Sequence, residues 1–302
     1  MYLMLGDEAD AEQSRGQKFF VYGAIFIPQE GIKPLNDGVE IIRAGAKFEP
    51  SDSLKFADKT RPPKISKETF REVKAMVIDL AAQHRVVFCA YAILHAIAAN
   101  QGHKNLVLFG ANTLLGKFNE FLGTDQDTFG LALFDRIPID HPYAYLREKF
   151  QIGMTFLDGR PTSRLERIMG FASTTDGASH LASIADILVG AWRYCVNEPA
   201  MDVTGKAIFP KLMDLMWKRT RNGKLYVQDF GFVLRPQEVQ AETYKKDYND
   251  LCARLQGYWH RIGRGWLLAN NCICHSAIDA YFALVGVLDP LLQRFQQSRR
   301  IN

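Results

Sequence analysis

The run FFVYGAIFI at residues 19–27 has no polar face and is rich in aromatic and branched residues, so it reads as a buried strand closed by Pro28. A shorter apolar run at residues 2–5 precedes it and stops at Gly6-Asp7-Glu8. Two strands joined by a polar link predict a hairpin. Its loop would carry Glu8, Asp10 and Glu12, so acids gather where the first strand ends.

The same reading continues along the chain. Residues 34–48 read as a helix, 54–57 as a short strand, and 66–84 as an amphipathic helix opened by Ser66, with Phe70, Val73, Val77 and Leu80 on one face. Residues 86–94 return to strand chemistry. A helix is expected over 104–122, ended by Gly123, then a strand FGLALF stopping at Asp135. Residues 168–174 read as a further strand, followed by a turn at 175–177 and a helix over 179–196.

Alternating strands and helices up to about residue 200 predict an α/β fold, a layered sheet with helices packed on it. Beyond that point the pattern becomes mainly helical (208–219, 241–258, 276–295), with one strand-like piece at 225–234. The expected organisation is therefore a core over 1–200 and a mainly helical region over 201–302. No Gly/Ser linker separates them, so the boundary is soft and the two can pack as one domain.

The helix over 179–196 is apolar nearly all round, yet Ser179, Ser183, Asp186, Gly190 and Asn197 share one face at ~3.6 residues per turn. An ionised carboxylate on such a helix costs several kcal/mol to bury unless it is paired or bound to a cation. Asp186 can pair with a basic residue such as Arg193, and Asp7 and Asp135 can simply occupy the turns that follow strands. Two acids ending apolar strands and a third on an apolar helix are read more economically as converging on one sheet edge. Carboxylates gathered there call for a cation, and their hard oxygens select Mg²⁺ or Mn²⁺.

Composition narrows the classes. At 47% hydrophobic and 23% charged, the 302 residues can bury a real core, and a net charge of +4 is too mild to establish a nucleic-acid partner by itself. The opening MYLMLGDE turns acidic too early for a secretory signal, and the most apolar windows are interrupted by His95, Asp279 and Asp289. No membrane span and a cytoplasmic location are expected. Five scattered cysteines are expected to stay reduced. The Cys272-Ile273-Cys274-His275 segment is a poor zinc pattern, because structural sites seldom use a one-residue cysteine spacing.

The opening YLMLGDEAD with FFVYGAIFI resembles the start of the bacterial "domain of unknown function 3800" family, whose first strand ends in an Asp-Glu-Ser signature. LFDRI resembles that family's middle Asp-bearing strand, and SHLASIADILVGAWRY its Ala-Asp-leucine helix. The match runs in order over residues 2 to 200. That family is identified as a member of the ribonuclease H-like superfamily, which implies a mixed sheet flanked by helices and a carboxylate-bound pair of divalent ions. Asp7 and Glu8 match the first signature, Asp135 the middle acid and Asp186 the helix acid. Ala9 stands where the signature has Ser, and Ser183 where the family usually shows Gln. Lys55, in LKFAD, corresponds loosely to a lysine after the family's third strand.

The resemblance implies a nuclease or phosphodiesterase in which two metals about 4 Å apart activate water and stabilise the leaving oxygen. DNA and RNA both remain open as substrates. Phosphate grip is expected from the densest basic run, Lys218, Arg219, Arg221 and Lys224, with Lys55. A charge run between helix and strand is also commonly a solvated turn. The competing expectation is a non-catalytic nucleic-acid- or protein-binding module that keeps the fold, with the C-terminal region serving nucleic acid, a homodimer or another protein partner.

Overall fold

The computed structural model describes residues 1–9, 17–99, 102–135, 142–154, 163–175, 177–198, 203–221, 224–260 and 266–267. Asp10, Glu12, the 272–275 segment and the helix expected over 276–295 lie outside the described residues. The elements run β1 (Tyr2–Ala9), β2 (Phe19–Pro28), α1 (Gln29–Gly45), α2 (Lys67–Gln83), β3 (Val87–Leu94), a short α3 (His95–Ala98), α4 (Gly102–Glu120) and β4 (Gly130–Phe134). They continue with α5 (Pro142–Gln151), β5 (Ile168–Ser173), α6 (His180–Asn197), α7 (Val203–Leu215), β6 (Arg219–Arg221), β7 (Lys224–Tyr226), β8 (Phe232–Arg235), α8 (Glu242–His260) and β9 (Trp266–Leu267).

Among the described residues, six strands form one mixed sheet in the order β5-β4-β1-β2-β3-β8. β1, β2 and β3 are antiparallel neighbours, while β4 runs parallel to β1, β5 to β4, and β8 to β3. The α/β class is as the sequence predicts. β2 is central and covered on both faces: Phe19, Val21, Ile25 and Ile27 enter the core beneath α1, α2, α6 and α7, whereas Phe20, Tyr22, Ala24 and Phe26 enter the core beneath α4. That double burial is why the run shows no polar alternation. β8, α7 and α8 contribute Phe232, Phe209, Leu212, Tyr248 and Leu255 to the same core as α6, so chain on both sides of residue 200 shares it.

Several local expectations change. β1 does not stop at Leu5 but extends through Ala9, because Gly6, Asp7, Glu8 and Ala9 pair with Ala24, Gly23, Tyr22 and Val21 of β2. The ladder to an apolar neighbour holds polar residues extended. Residues 54–57 form no strand. The 225–234 piece splits into β7 and β8 around a turn in which Asp229 takes φ 64°, and the Phe232 N–H donates to the Val227 carbonyl at 3.0 Å. α4 passes into a π-type turn over Phe121–Asp125 instead of ending at Gly123. Cys89 and Cys195 are free and buried.

α6 is fixed on the sheet by its ends and its middle. Ser179 caps it, accepting from the Leu181 N–H at 3.1 Å. At the other end the Asn197 amide accepts from the N–H of Lys18 (3.1 Å) and Phe19 (2.9 Å) and donates to the Phe19 carbonyl (2.9 Å). In the middle Val189 lies against Gly23 of β2, where any Cβ would overlap its methyls. Glycine is needed for this close approach, which brings α6 down onto β2 beside Asp7. No described helix is long and apolar enough to cross a membrane.

Candidate functional site

β4 accompanies β1 only as far as the Gly6–Phe134 pair, after which the Asp135 N–H still donates to the Gly6 carbonyl at 2.9 Å. Asp7 and Asp135 are therefore the next residues of two parallel strands at their carboxyl ends, where open α/β sheets form crevices. Alternation sets their face. Leu3 and Leu5 on β1 and Leu133 on β4 belong to the α6 side, so Asp7 and Asp135 do too. Asp186 comes to the same region from α6.

Electrostatics report the convergence. Asp7 is 9% exposed, and its carboxyl is held well above the ordinary range, first by burial and then by the charges of Asp186, Asp135 and Glu8. Three acids, from β1, the end of β4 and α6, thus act on Asp7. Tyr22, opposite Glu8 on β2, has its phenol pushed well up by burial and by Glu8 and Asp7, so it keeps its proton. Its hydroxyl, like the Phe134 ring, lies 3.2 Å from where a Gly6 Cβ would be, so a larger residue before Asp7 would fit tightly.

A cleft of 660 Å³ opens from these acids between α2 and α6. β1 contributes Asp7 and Glu8 to its wall; α6 contributes Asp186, Val189, Gly190, Arg193 and Tyr194; α2 contributes Arg71, Lys74, Ala75 and Ile78. The segment 56–59 forms the remaining edge. The Phe56 N–H donates to Asp186 Oδ1 at 2.6 Å, and Lys74 Nζ donates to the Phe56 carbonyl and to Asp58 Oδ1, each at 2.9 Å. The Phe56 side chain fills the space above Gly190, where a Cβ would lie 2.5 Å from that of Phe56. The small-residue stripe of α6 is thus the seat of this loop.

Lys74, 8% exposed, lies over the rings of Phe56 (4.9 Å) and Phe70 (4.5 Å). Burial lowers its pKa, and the Asp58 hydrogen bond and charge partly restore it. Asp58 answers in kind: burial alone would raise its pKa, but Lys74 turns the net shift downward.

Of the residues expected from sequence, Asp7, Glu8 and Asp186 line the cleft, and Asp135 acts on Asp7 electrostatically. Lys55 is not among the described lining residues, although its neighbours Phe56–Lys59 are. The basic run is built elsewhere. Lys218 donates to the Asp214 carbonyl at 3.0 Å, and Arg219 pairs with Asp125 (3.3 Å) and Glu120 (3.5 Å) on the α4 side. The side chains of Arg221 and Lys224 lie outside the described residues. The cations of the cleft are Lys59, Arg71, Lys74 and Arg193. Their sequence signal was the helical offset of Arg71 from Lys74 and of Asp186 from Arg193, which becomes readable only once α2 and α6 are known to face each other.

The donor chemistry fits a hard divalent cation, since every candidate ligand is a carboxylate and like charge dominates around Asp7. Their spacing is looser. Among the described residues no three His, Cys, Asp or Glu side chains stand close enough to hold one ion. No protein-family model matches the chain. No curated protein matches it either.

Proposed function

We propose that the chain is a divalent-cation-dependent phosphodiesterase acting on nucleic acid, in which Asp7 together with Asp135 or Asp186 holds Mg²⁺ or Mn²⁺ with Glu8 beside them. The observation that carries this reading is a buried Asp7, lining a cleft that also holds cations, whose pKa is raised by burial and then by the charges of Asp186, Asp135 and Glu8. Bound there, the ion would supply a polarised water and charge stabilisation for in-line attack on a phosphodiester. The mixed sheet flanked by helices is also the architecture that the ribonuclease H-like resemblance implies, which supports the reading.

The chain's own residues have separate tasks. Asp7 brings negative charge to the sheet edge in a buried position where it cannot relax into water. Asp186 is oriented by the Phe56 N–H on Oδ1. Lys74, through the Phe56 carbonyl and Asp58, fixes the peptide that does the orienting. Val189 and Ile78 close the apolar base of the cleft against bulk water.

Purified protein is expected to hydrolyse DNA or RNA with Mg²⁺ or Mn²⁺, and to lose that activity in Asp7→Asn and in Asp186→Asn. Unchanged hydrolysis in both variants overturns the proposal. A binding module without turnover is the second reading, favoured by the absence of a three-acid ligand group among the described residues. It predicts salt-sensitive nucleic-acid binding that survives both substitutions, with no hydrolysis in either metal.

A further inference from the structure

The cleft carries chemistry that the carboxylates do not use. Along α6 the residues at offsets of four, seven and eight from Asp186 are Gly190, Arg193 and Tyr194, which at 3.6 residues per turn share one stripe, and all of them line the cleft. α2 answers with Arg71 one turn from Lys74. Lys74 is already engaged by Phe56 and Asp58, and it serves to hold the loop. Arg71 and Lys59 are exposed at the rim. Positive and negative groups thus share the cleft, with Asp58 beside Lys74 and Arg71.

Two rings also line the cleft. Phe56 and Tyr194 are half-buried, with centroids 6.4 Å apart and planes tilted by 51°, so neither ring covers the other's face. Phe56 is braced from below by Gly190, and the Lys74 ammonium lies over one face of its ring at 4.9 Å. Two half-buried rings that line one cleft have the properties of a stacking platform for a base.

Size then selects the form of the ligand. A volume of 660 Å³ falls within the about 300–1,000 Å³ of pockets that enclose a small molecule. It can take a nucleotide with its phosphates, whereas a base paired and stacked inside a duplex has no free face to offer the rings. The axial rise from Asp186 to Arg193 is about 10 Å, enough to set the acids against one phosphate and the guanidinium groups against a neighbouring one.

We infer that the cleft takes single-stranded nucleic acid in preference to duplex, with a backbone phosphate held by Arg71 and Arg193 and a base stacked on Phe56 and Tyr194. This rests on the phosphodiesterase reading above and assigns that site its substrate class. The shared chemistry is an unpaired nucleotide with a flanking phosphate, whether from RNA or DNA.

The test is equilibrium binding by fluorescence anisotropy in EDTA, using the full chain and end-labelled 12-residue single strands of DNA and of RNA, with blunt duplexes of each sequence. Expected are at least tenfold tighter binding of a single strand than of its duplex, and a further tenfold weakening in the double variant Arg71→Ala/Arg193→Ala. That variant should also lose about one to two phosphates' worth of salt dependence, at about 0.7 per phosphate in the log–log slope. Tyr194→Ala is expected to weaken binding by about 5- to 100-fold with little change in slope, because a ring contributes stacking rather than charge. Arg85→Ala, at the opposite end of β1 and paired with Glu30, is expected to bind like the parent; thermal melts verify that all variants are folded. The DNA and RNA arms identify the sugar.

Equal affinity for duplex and single strand, or single-strand binding indifferent to the double variant, overturns the inference. Should single-strand preference hold while no nucleic acid is hydrolysed in Mg²⁺ or Mn²⁺, the inference stands and the phosphodiesterase reading falls. Should duplex be bound and cut as well as single strand, the reverse applies.

Discussion

On the α4 side of the sheet Glu120 meets Lys117 at 2.9 Å and Arg219 at 3.5 Å, Arg219 reaches Asp125 at 3.3 Å, and Asp125 accepts the Trp217 indole N–H. On the α6 side Asp7 is buried among the charges of Asp186, Asp135 and Glu8, which oppose its ionisation. Both regions bring carboxylates next to aromatic core. In the first each acid has a basic or N–H partner, which is what a group retained for structure needs. In the second, Asp186 also accepts the Phe56 N–H, but the charges that act most on Asp7 are of its own sign and oppose its ionisation at a cost to the fold, and such an arrangement is characteristic of sites that bind or react.

The sharpest break between the two regions would come from activity. Asp7→Asn is expected to reduce metal-dependent hydrolysis by at least about 10²-fold. Arg219→Ala, on the α4 side, is expected to stay within about twofold of the parent in the same steady-state assay.

A glycine on each side gives the next largest contrast. Gly23→Ala drives a methyl into Val189 and must lift α6, so a loss of about 1–3 kcal/mol is expected in denaturant unfolding. Gly116→Ala in α4 meets nothing within 4 Å and is expected to gain up to about 1 kcal/mol from helix propensity. A gain at Gly23 would mean that α6 does not approach β2 closely.

Stability against pH distinguishes the regions more finely. The Asp7 pKa is raised in the fold, so the folded state favours its protonated form. Its favourable contribution is complete below the ordinary carboxylate range and is lost as pH rises through the raised value. In EDTA at pH 7.5, Asp7→Asn is therefore expected to raise Tm by about 2–6 °C, with the gain vanishing near pH 3.5. Glu120→Gln, which breaks a paired acid, should instead lower Tm slightly at pH 7.5. Melts by circular dichroism across this range would show both signs.

The smallest effect belongs to Arg219→Ala in stability. About a third of its side chain is exposed, and removing a pair of this kind is expected to cost at most about 1 kcal/mol.

Much of this comparison was visible in the sequence, and the missing parts share a cause. FFVYGAIFI and the apolar circumference of α6 showed which elements are buried, because burial on all sides leaves no polar stripe. Asp7, Asp135 and Asp186 stood out as acids interrupting such elements. The length of β1 was not legible, since Asp7, Glu8 and Ala9 have no strand propensity and are extended only by pairing with β2. Nor was the role of residues 56–59, which form no strand because their backbone groups bond to Asp186 and Lys74, far away in the chain. Arg193 stood in the sequence only as a candidate partner of Asp186, and nothing marked Arg71, until the packing of α2 opposite α6 set them across a cleft. The run from Lys218 to Lys224 drew attention by local density, yet Arg219 is drawn into ion pairs by α4 and the turn after it.

The central claim is that the acids of β1, the end of β4 and α6 form one cation site. Anomalous diffraction at the manganese edge from crystals soaked in Mn²⁺ addresses it directly. The account predicts a peak bonded to carboxylate oxygens of Asp7 and of at least one of Asp135 and Asp186, absent in Asp7→Asn crystals. A fully soaked crystal with no peak among these side chains, and with each of them paired instead to its own lysine or arginine, would contradict it.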